Sequence, residues 1–448
     1  MKFTFDEIVK AIDAEVLRQV NIAGVYTIST DTRSINSSNV YLPLKGEKFD
    51  GHAFIQDALD KGARGYITSD KKAIYTDAKF VLYVKDTLTA YLKLAAYYKS
   101  KVNPITIAIT GSSGKTTTKE MVASVVSQHY KTHKSILNHN NEVGLCQTLL
   151  SMPKDTEILV VEMGMRGQGE IELLSKYAQP DIAIIANSGT AHIGRLGSVE
   201  NIAKAKCEIA KHLHKEGLLL AHDTELIRKT NEYKGKTLYL GLNSKELSDI
   251  KLSPSSSEFV YKKYPFKLNV EGEHNIQNAL FAINTGTKLG ITENLIAKGL
   301  EEYRPIEKRW EITEIAGYKV INDSYNSNPE SLKAAISAFL STQKTEYSRV
   351  LILGDMKELG ENEKIYHKEI GEFINNFENV ELLTVGELAK CIADGLDKEK
   401  NIKANSFETN EDAAKYVLEN IPAGTTMLLK ASRSMKFEEI ITELGKWN

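Results

Sequence analysis

In the middle of this chain of 448 residues, short continuous apolar runs typical of buried strands alternate with segments whose apolar residues have helical spacing. Three apolar runs rich in β-branched residues lie at 105–110, 157–163 and 181–188. Two sequences with a helical pattern, 116–130 and 170–178, separate them. Because short apolar strands that alternate with helices are covered on both faces, this pattern predicts a parallel, doubly wound α/β sheet.

The first hundred residues mix short strand-like runs with amphipathic helices. The strand-like runs are 39–44, 65–69 and 79–84, and the helical ones are 53–63 and 89–101. Asn103-Pro104 follows, and a residue before proline disfavours helix. The sequence therefore predicts a first domain at 1–102.

A second boundary is predicted at the stretch from Arg304 to Arg309, which contains Pro305. Before it, 237–270 has the pattern of a small antiparallel excursion, followed by a helix at 274–289. After it, strands and helices alternate again, at 310–325, 329–340, 349–355, 381–386 and 425–432. The fold prediction is three α/β domains, 1–102, 103–305 and 306–448, the last of them Rossmann-like.

A glycine-rich turn, GSSGKT at 111–116, follows the 105–110 run. A strand that turns through glycines into a helix directs backbone N–H groups and the helix dipole at one point, which favours phosphate. Lys115 would reach the terminal phosphates, and the Thr116 hydroxyl would bind Mg²⁺. A full P-loop has a further glycine where this chain has Ile109, so the loop is a shortened form. The alternative is a plain turn with an exposed Lys115; we predict a nucleoside triphosphate site in a P-loop-type sheet.

Polar side chains follow the two later strands of the predicted central sheet. Glu162 ends one strand, and Asn187 and His192 follow the next. Loops at the carboxyl ends of parallel strands form the ligand crevice of such sheets, and a carboxylate there is placed to hold Mg²⁺. Taken singly, Glu162 is equally a solvated loop acid, and a lone histidine such as His192 is more often a structural or surface residue; the convergence of both residues with the glycine-rich turn favours the functional interpretation.

Two further polar segments have ordinary explanations when each is taken alone. The amide-rich segment 138–144 reads as a polar loop or helix cap. Ser198 resembles the cap of the next helix, on which Lys204 and Lys206 would ordinarily form a solvated charged face.

Composition excludes several classes of protein. The formal net charge is −2, so no bulk basic field favours nucleic acid or an anionic membrane. Cys146, Cys207 and Cys391 lie far apart, which disfavours disulfides and zinc and fits a reducing compartment. The N-terminus lacks the apolar core of a signal peptide, and no apolar run approaches the roughly 18 residues that span a bilayer. We expect a cytoplasmic location and no membrane insertion.

Taken together, the motifs resemble those of the Mur ligases of peptidoglycan assembly, over essentially the whole chain. The resemblance is carried by DTRS (31–34), the segment 44–63, TGSSGKTT, NHNNEVG, EMGMRGQGEI, NSGTAHIGRLGSVENIAKAKCEI, GEHNIQNAL (272–280), NDSYNSNPESLKAA, LILGDMKELGE and KASRSM. Three positions depart conservatively from the family pattern: Thr32, Cys146 and Ala431. The segment LAHDTEL (220–226) departs further, and no role is assigned to it.

The resemblance implies a role for residues in each domain. The uridine nucleotide of the substrate is expected at Thr32, Arg33, Lys45, Gly46, Asp50, Gly51 and His52. ATP is expected at Gly111, Ser112, Ser113, Gly114, Lys115, Thr116, Thr117, Asn275, Asn278, Arg309 and Asp323. Two magnesium ions are expected, bound by Thr116, Glu162, His192 and Lys206, with Lys206 in the form of a carbamate. D-Ala-D-Ala is expected at Tyr325, Asn326, Asn328 and Arg433, although Asn328-Pro329 is also a plain helix start.

The same resemblance implies a reaction, with Lys115, His192 and Lys206 as its catalytic residues. The matching family member joins D-alanyl-D-alanine to UDP-N-acetylmuramoyl-tripeptide, using ATP, through an acyl phosphate and a tetrahedral intermediate. Both substrates are small molecules, and a monomer is expected. The alternatives are a sister Mur ligase, a folylpolyglutamate-type ligase, and a nucleotide switch that hydrolyses ATP without ligation.

Overall fold

The strands of the described part of the chain form four sheets, and helices cover the larger ones. The computed structural model describes residues 1–20, 22–46, 49–72, 74–136, 138–253, 255–305, 310–342, 349–400 and 402–446. None of the helices within these ranges is both long and apolar enough to cross a bilayer.

The N-terminal sheet is built from short strands. Its elements are α1 (Phe5–Ile12), β1 (Glu15–Gln19), β2 (Thr27–Ser29), β3 (Asn39–Tyr41), α2 (Ile55–Asp60), β4 (Gly65–Thr68), β5 (Phe80–Tyr83) and α3 (Thr87–Val102). In the order β1-β5-β4-β3-β2, β1 is antiparallel to β5 and the remaining pairs are parallel. The strands predicted within 39–44, 65–69 and 79–84 are confirmed as β3, β4 and β5.

The central sheet is parallel throughout, as predicted. Its elements are β6 (Ile105–Thr110), α4 (Lys115–Val126), β7 (Thr132–Lys134), α5 (Glu142–Ser151), β8 (Ile158–Glu162), α6 (Glu170–Ala178), β9 (Ile182–Ile185), α7 (Ile193–Leu196), α8 (Val199–Cys207), β10 (Leu218–His222), α9 (Glu225–Thr230) and β11 (Lys236–Leu240). The order is β11-β10-β9-β6-β8-β7. After β6 the chain adds β7 and β8 on one side of β6, and it then crosses over to add β9 on the other side. Ligands bind at such a reversal of strand order, so a ligand crevice is expected at the carboxyl end of β6.

The prediction of an antiparallel excursion over 237–270 is wrong at its start. Strand β11 pairs in parallel with β10 and completes the central sheet, because its apolar side chains extend that sheet's buried layer. The antiparallel sheet begins later, with β12 (Leu247–Ser253), β13 (Ser256–Tyr261) and β14 (Tyr264–Leu268), and is followed by α10 (Glu273–Lys288) and α11 (Glu293–Glu302).

The C-terminal sheet is again mostly parallel. Its elements are β15 (Glu311–Ile315), β16 (Tyr318–Asn322), α12 (Pro329–Thr342), β17 (Arg349–Gly354), α13 (Glu363–Ile374), β18 (Val380–Val385), α14 (Lys390–Asp394), β19 (Lys403–Phe407), α15 (Asn410–Asn420), β20 (Thr426–Lys430) and α16 (Glu438–Gly445). The order is β15-β16-β20-β17-β18-β19, with β15 antiparallel to β16. Residues that follow β16, β17 and β20 therefore meet at one edge.

The apolar core is continuous from the N-terminal sheet into the central one. One cluster contains Phe3 beneath the first sheet, Leu94 on α3, and Leu149 on α5. Helix α3 thus packs against both units, and it ends at Val102; the next residue, Asn103, is its C-cap with a φ of 55° and precedes Pro104. The predicted boundary at 102/103 separates two sheets that share this core.

Candidate active site

A cavity of about 1200 Å³ lies between the carboxyl edge of the central sheet and the C-terminal domain. We call it the interdomain cavity. The predicted site residues that line it are Ser112, Ser113, Gly114, Lys115, Thr116, Thr117, Glu162, His192, Asn275, Asn278, Asp323, Tyr325, Asn326, Asn328 and Arg433. Gly111 and Lys206 do not line the cavity, and Arg309 lies outside the described residues.

The predicted phosphate loop connects β6 to α4 at the floor of the cavity. Gly114 is the N-cap of α4 with φ +71°, and a Cβ on it would meet the Asn278 Oδ1 at 2.8 Å. Both the backbone conformation and the close side chain therefore require glycine there. The Lys115 Nζ donates to the Gly111 carbonyl at 2.7 Å. The first N–H groups of α4 have no partner within the helix, and together with its dipole they favour an anion.

Asn187, which follows β9, holds the phosphate loop from the neighbouring strand. The Ser112 and Ser113 N–H groups donate to Asn187 Oδ1 at 2.8 and 2.9 Å, and its Nδ2 donates to the Ser113 Oγ at 2.6 Å. Because these two loop N–H groups are occupied, the N–H groups available to phosphate begin at Gly114. The sequence placed Asn187 at this edge but did not reveal this contact.

We expect Asn187→Ala to raise the KM for ATP about tenfold or more, since each lost hydrogen bond contributes about 0.5–1.5 kcal/mol to loop order. Steady-state kinetics with varied ATP would measure this change. Asn243→Ala, at an exposed position outside the cavity, is the matched control and should leave the KM unchanged. An unaltered KM in Asn187→Ala would show that the loop does not need this support.

Glu162 is buried beside the phosphate loop, so it is not the solvated loop acid of the alternative interpretation. The Thr116 hydroxyl donates to its Oε2 at 2.9 Å, and the Asn140 amide donates to its Oε1 at 3.0 Å. The Lys119 Nζ lies 4.0 Å from Oε2 and is fully buried. The segment 138–144 also has the predicted cap, because Asn141 Oδ1 accepts from the Gly144 N–H.

Lys206 is buried in α8, and the prediction of a solvated charged face holds only for the exposed Lys204. Burial, reinforced by the charge of Lys115, places the pKa of Lys206 well below its usual range. Burial and the charges of Lys115 and Lys206 likewise lower the pKa of His192. These three side chains therefore lie within electrostatic range of one another, although Lys206 does not line the cavity.

The donor set fits magnesium. No group of three or more His, Cys, Asp or Glu side chains able to hold a metal occurs among the described residues. Thr116 and Glu162 offer one hydroxyl and one carboxylate in contact with each other. Mg²⁺ is usually bound in this way, by one or two carboxylates together with water and substrate phosphates.

The C-terminal domain supplies the opposite wall of the cavity. Lys430 Nζ contacts Asp323 Oδ2 at 2.6 Å and donates to the Asn326 carbonyl at 3.0 Å. Asn328 Oδ1 accepts from the Ser331 N–H at 2.9 Å, so it caps α12 as the plain interpretation held, while still lining the cavity. Arg433 is paired with Glu438 at 2.7 Å.

The predicted uridine-nucleotide residues lie on two loops of the N-terminal domain, and none of them lines the interdomain cavity. Asp50 accepts from the His52 N–H at 3.0 Å, and this bond lowers its pKa; its carboxylate also contacts His52 Nδ1 at 2.7 Å. A Cβ on Gly51 would meet the Leu44 carbonyl at 2.8 Å, so glycine is required for this close approach. Lys45 and Gly46 begin the same loop, whereas Thr32 and Arg33 form a short turn capped by Asp31.

Some cavity residues carry no signal that sequence reasoning could use. His222 ends β10 opposite Leu240, whose carbonyl accepts from the Gln277 amide at 3.1 Å. His222 Nδ1 and Gln277 Oε1 are buried at the cavity and have no hydrogen-bond partner among the residues that the structure describes. His222 belongs to the 220–226 segment to which the sequence assigned nothing, and only the pairing of β10 with β11 places it here.

Comparison with known proteins identifies the family. The Mur ligase family catalytic domain matches residues 24–100, the Mur ligase middle domain 109–286, and the Mur ligase glutamate ligase domain 308–433. The UDP-N-acetylmuramoyl-tripeptide–D-alanyl-D-alanine ligase of Bacillus subtilis is 39% identical, over 94% of this chain and 93% of its own. The Escherichia coli protein of the same name is 30% identical over 93% of each.

Solved structures of Mur ligases have the same fold as this chain. A crystal structure of MurF from Acinetobacter baumannii superimposes with a TM-score of 0.91 at 29% identity, over 100% of this chain and 99% of its own. MurF ligase from Thermotoga maritima, in complex with ADP, gives 0.84 at 28% identity, over 94% and 97%. With family domains matched in all three parts of the chain, this protein belongs to the Mur ligase family.

Proposed function

We propose that this protein is an ATP-dependent ligase that joins D-alanyl-D-alanine to UDP-N-acetylmuramoyl-tripeptide, giving the UDP-pentapeptide precursor of peptidoglycan. The observation that supports the proposal is the interdomain cavity, which is lined both by residues 112–117 of the predicted phosphate loop and by the Tyr325–Asn328 segment. The relatives that match along the whole chain carry the name of this activity. We propose the boundaries 1–102, 103–305 and 306–448 for the uridine-nucleotide, ATP and C-terminal domains.

The reaction has two covalent steps. A peptide carboxylate oxygen attacks the γ-phosphorus of ATP, so that ADP leaves and an acyl phosphate forms. The amine of D-Ala-D-Ala then attacks the acyl carbon, and the tetrahedral intermediate expels inorganic phosphate. The first step brings two anions together, and we assign Lys115 and the start of α4 to neutralise that charge.

We assign the remaining residues by where they lie. Asn275 and Asn278 of the central domain and Asp323 of the C-terminal domain all line the cavity, and we assign them to ATP; Arg309 belongs to the same proposed set although it is not described. Tyr325, Asn326, Asn328 and Arg433 line the side proposed for D-Ala-D-Ala. The uridine set from Thr32 to His52 would anchor the other substrate on the N-terminal domain.

We propose two Mg²⁺ sites, one at Thr116 and Glu162 and one at His192 and a carbamate of Lys206. Bound there, magnesium would supply positive charge to the phosphates and lower the repulsion of the attacking carboxylate. Lys206 is suited to carbamate formation because only a neutral amine reacts with CO₂, and burial lowers its pKa. We further propose a monomer that acts in the cytoplasm.

The deciding experiment measures phosphate release from ATP and Mg²⁺ with UDP-N-acetylmuramoyl-tripeptide, with and without D-Ala-D-Ala. The ligase predicts release that requires both substrates, together with a UDP-pentapeptide product by mass. Release that ignores both would favour an ATPase switch and overturn the proposal. Release with the tripeptide and another amino acid in place of the dipeptide would indicate a sister ligase.

A further inference from the structure

One loop of the central domain is held from two sides. Residues 187–194, which we call the bridging loop, follow β9 and lie between the phosphate loop and the C-terminal domain. On the first side, Asn187 binds the phosphate loop as described, and the Gly189 N–H donates to the Ser112 Oγ at 2.9 Å. The near end of the bridging loop is therefore hydrogen-bonded to the predicted phosphate loop.

Two carboxylates of the C-terminal domain hold the far end. The Thr190 N–H and hydroxyl donate to the two oxygens of Glu330, at 3.0 and 2.9 Å. His192 Nδ1 lies 2.6 Å from Glu358 Oε2, and because a carboxylate accepts, Nδ1 carries the hydrogen. The ring's other nitrogen, Nε2, then keeps its lone pair.

The backbones of the two domains also meet at this point. The Gly194 N–H donates to the Glu358 carbonyl at 3.2 Å, and a Cβ on Gly194 would lie 2.6 Å from the Gly360 nitrogen. No larger residue fits at 194 while the domains keep this distance. His192 itself has φ +68°, an uncommon conformation for a residue other than glycine, so outside contacts help to hold it.

We propose that Glu358 is a positioning residue, which reaches across from the C-terminal domain to orient the His192 ring so that Nε2 serves the second metal site. The inference rests on the metal assignment of the proposed function. Histidines that bind metals usually donate their other ring N–H to a carboxylate, which fixes the ring and its tautomer. Here that carboxylate belongs to another domain, so the second metal site is complete only while the two domains are in contact.

The test measures Mn²⁺ binding to the full-length protein in the presence of ADP, by electron paramagnetic resonance, and needs no turnover. We expect Glu358→Ala to lower the affinity for the second Mn²⁺ about 10- to 100-fold, the usual cost of losing a carboxylate that supports a metal-binding histidine. The first Mn²⁺ and ADP should bind as before. Glu358→Gln keeps an acceptor for Nδ1 without the charge and should recover much of the affinity. Glu361→Ala, at an exposed site nearby, is the matched control.

Gly194→Ala tests the interdomain contact without removing a polar group. Its Cβ should force the domains apart and lower the affinity for the second Mn²⁺, as Glu358→Ala does. The melting temperature should stay that of the wild type. Unchanged Mn²⁺ binding in both variants would overturn the proposal, as would tighter binding in Glu358→Ala, which would mean that Glu358 competes with the metal for His192. Wild-type product formation is assayed separately, so a failure of the ligase assignment is distinguishable from a failure of this one.

Discussion

Lys115→Ala is expected to lower kcat at least about 100-fold, the cost of removing one donor that stabilises transition-state charge. The Lys115 Nζ lies at the start of α4, within 2.7 Å of the Gly111 carbonyl, where transferred phosphate charge would develop. In the first step two anions approach each other, and the loss of this cation leaves their repulsion less compensated. Quenched-flow or steady-state measurement of ADP release, with all three substrates present, gives kcat directly.

Two further variants separate charge from fold. Lys204→Ala removes an exposed lysine of α8 and should retain wild-type kcat and melting temperature. Lys115→Arg keeps the charge but changes its shape, so it should fall between wild type and Lys115→Ala. If Lys115→Ala kept near-wild-type kcat, the assignment of residues 111–116 as the phosphate loop would be wrong.

Lys206→Met is expected to abolish most activity while leaving the protein at least as stable. Lys206 is 1% exposed, and methionine fills a similar volume without a polar group to desolvate. Its free energy of unfolding, measured in urea, should therefore stay equal or rise. Its kcat should fall at least about 100-fold if the carbamate supplies the anion that the second metal site requires.

The carbamate itself makes a second, direct readout possible. The neutral amine bonds to the carbon of CO₂ and releases a proton, so the modification forms more readily as the pH rises. Because burial lowers the pKa of Lys206, its neutral amine becomes available at a lower pH than that of an exposed lysine. Activity in CO₂-depleted buffer should fall, most at low pH, and bicarbonate should restore it. ¹³C-labelled bicarbonate should give a carbamate signal in wild type that Lys206→Met lacks, and unmodified Lys206 in fully active protein would contradict the proposal.

Local pattern was sufficient for the strongest elements of the fold. Strands β6, β8 and β9 and helix α6 lie where the apolar runs and the helical spacing placed them. Strand β11 was misassigned because its pairing partner, β10, was not predicted, and a strand's sheet depends on which neighbour it meets rather than on its own sequence. Strand β7 was missed because its residues, Thr132–Lys134, include no apolar side chain and so form no apolar run.

The sequence by itself determined those features that depend only on residues adjacent in the chain. The turn of the predicted phosphate loop, with the positive φ of Gly114, and the cap at Asn141 follow from contiguous residues, because backbone conformation and helix ends are local properties. The resemblance to the Mur ligases follows in the same way from motifs spread along the chain.

Only the tertiary structure decided which distant groups meet and which are removed from water. It buried Lys206 while leaving Lys204 exposed on the same helix, because α8 turns one face toward the core. It joined Asn187 to the phosphate loop and brought Glu358 to His192 from another domain. A residue's pKa and its hydrogen-bond partners depend on burial and on neighbours far away in the chain, and no spacing along the sequence specifies either.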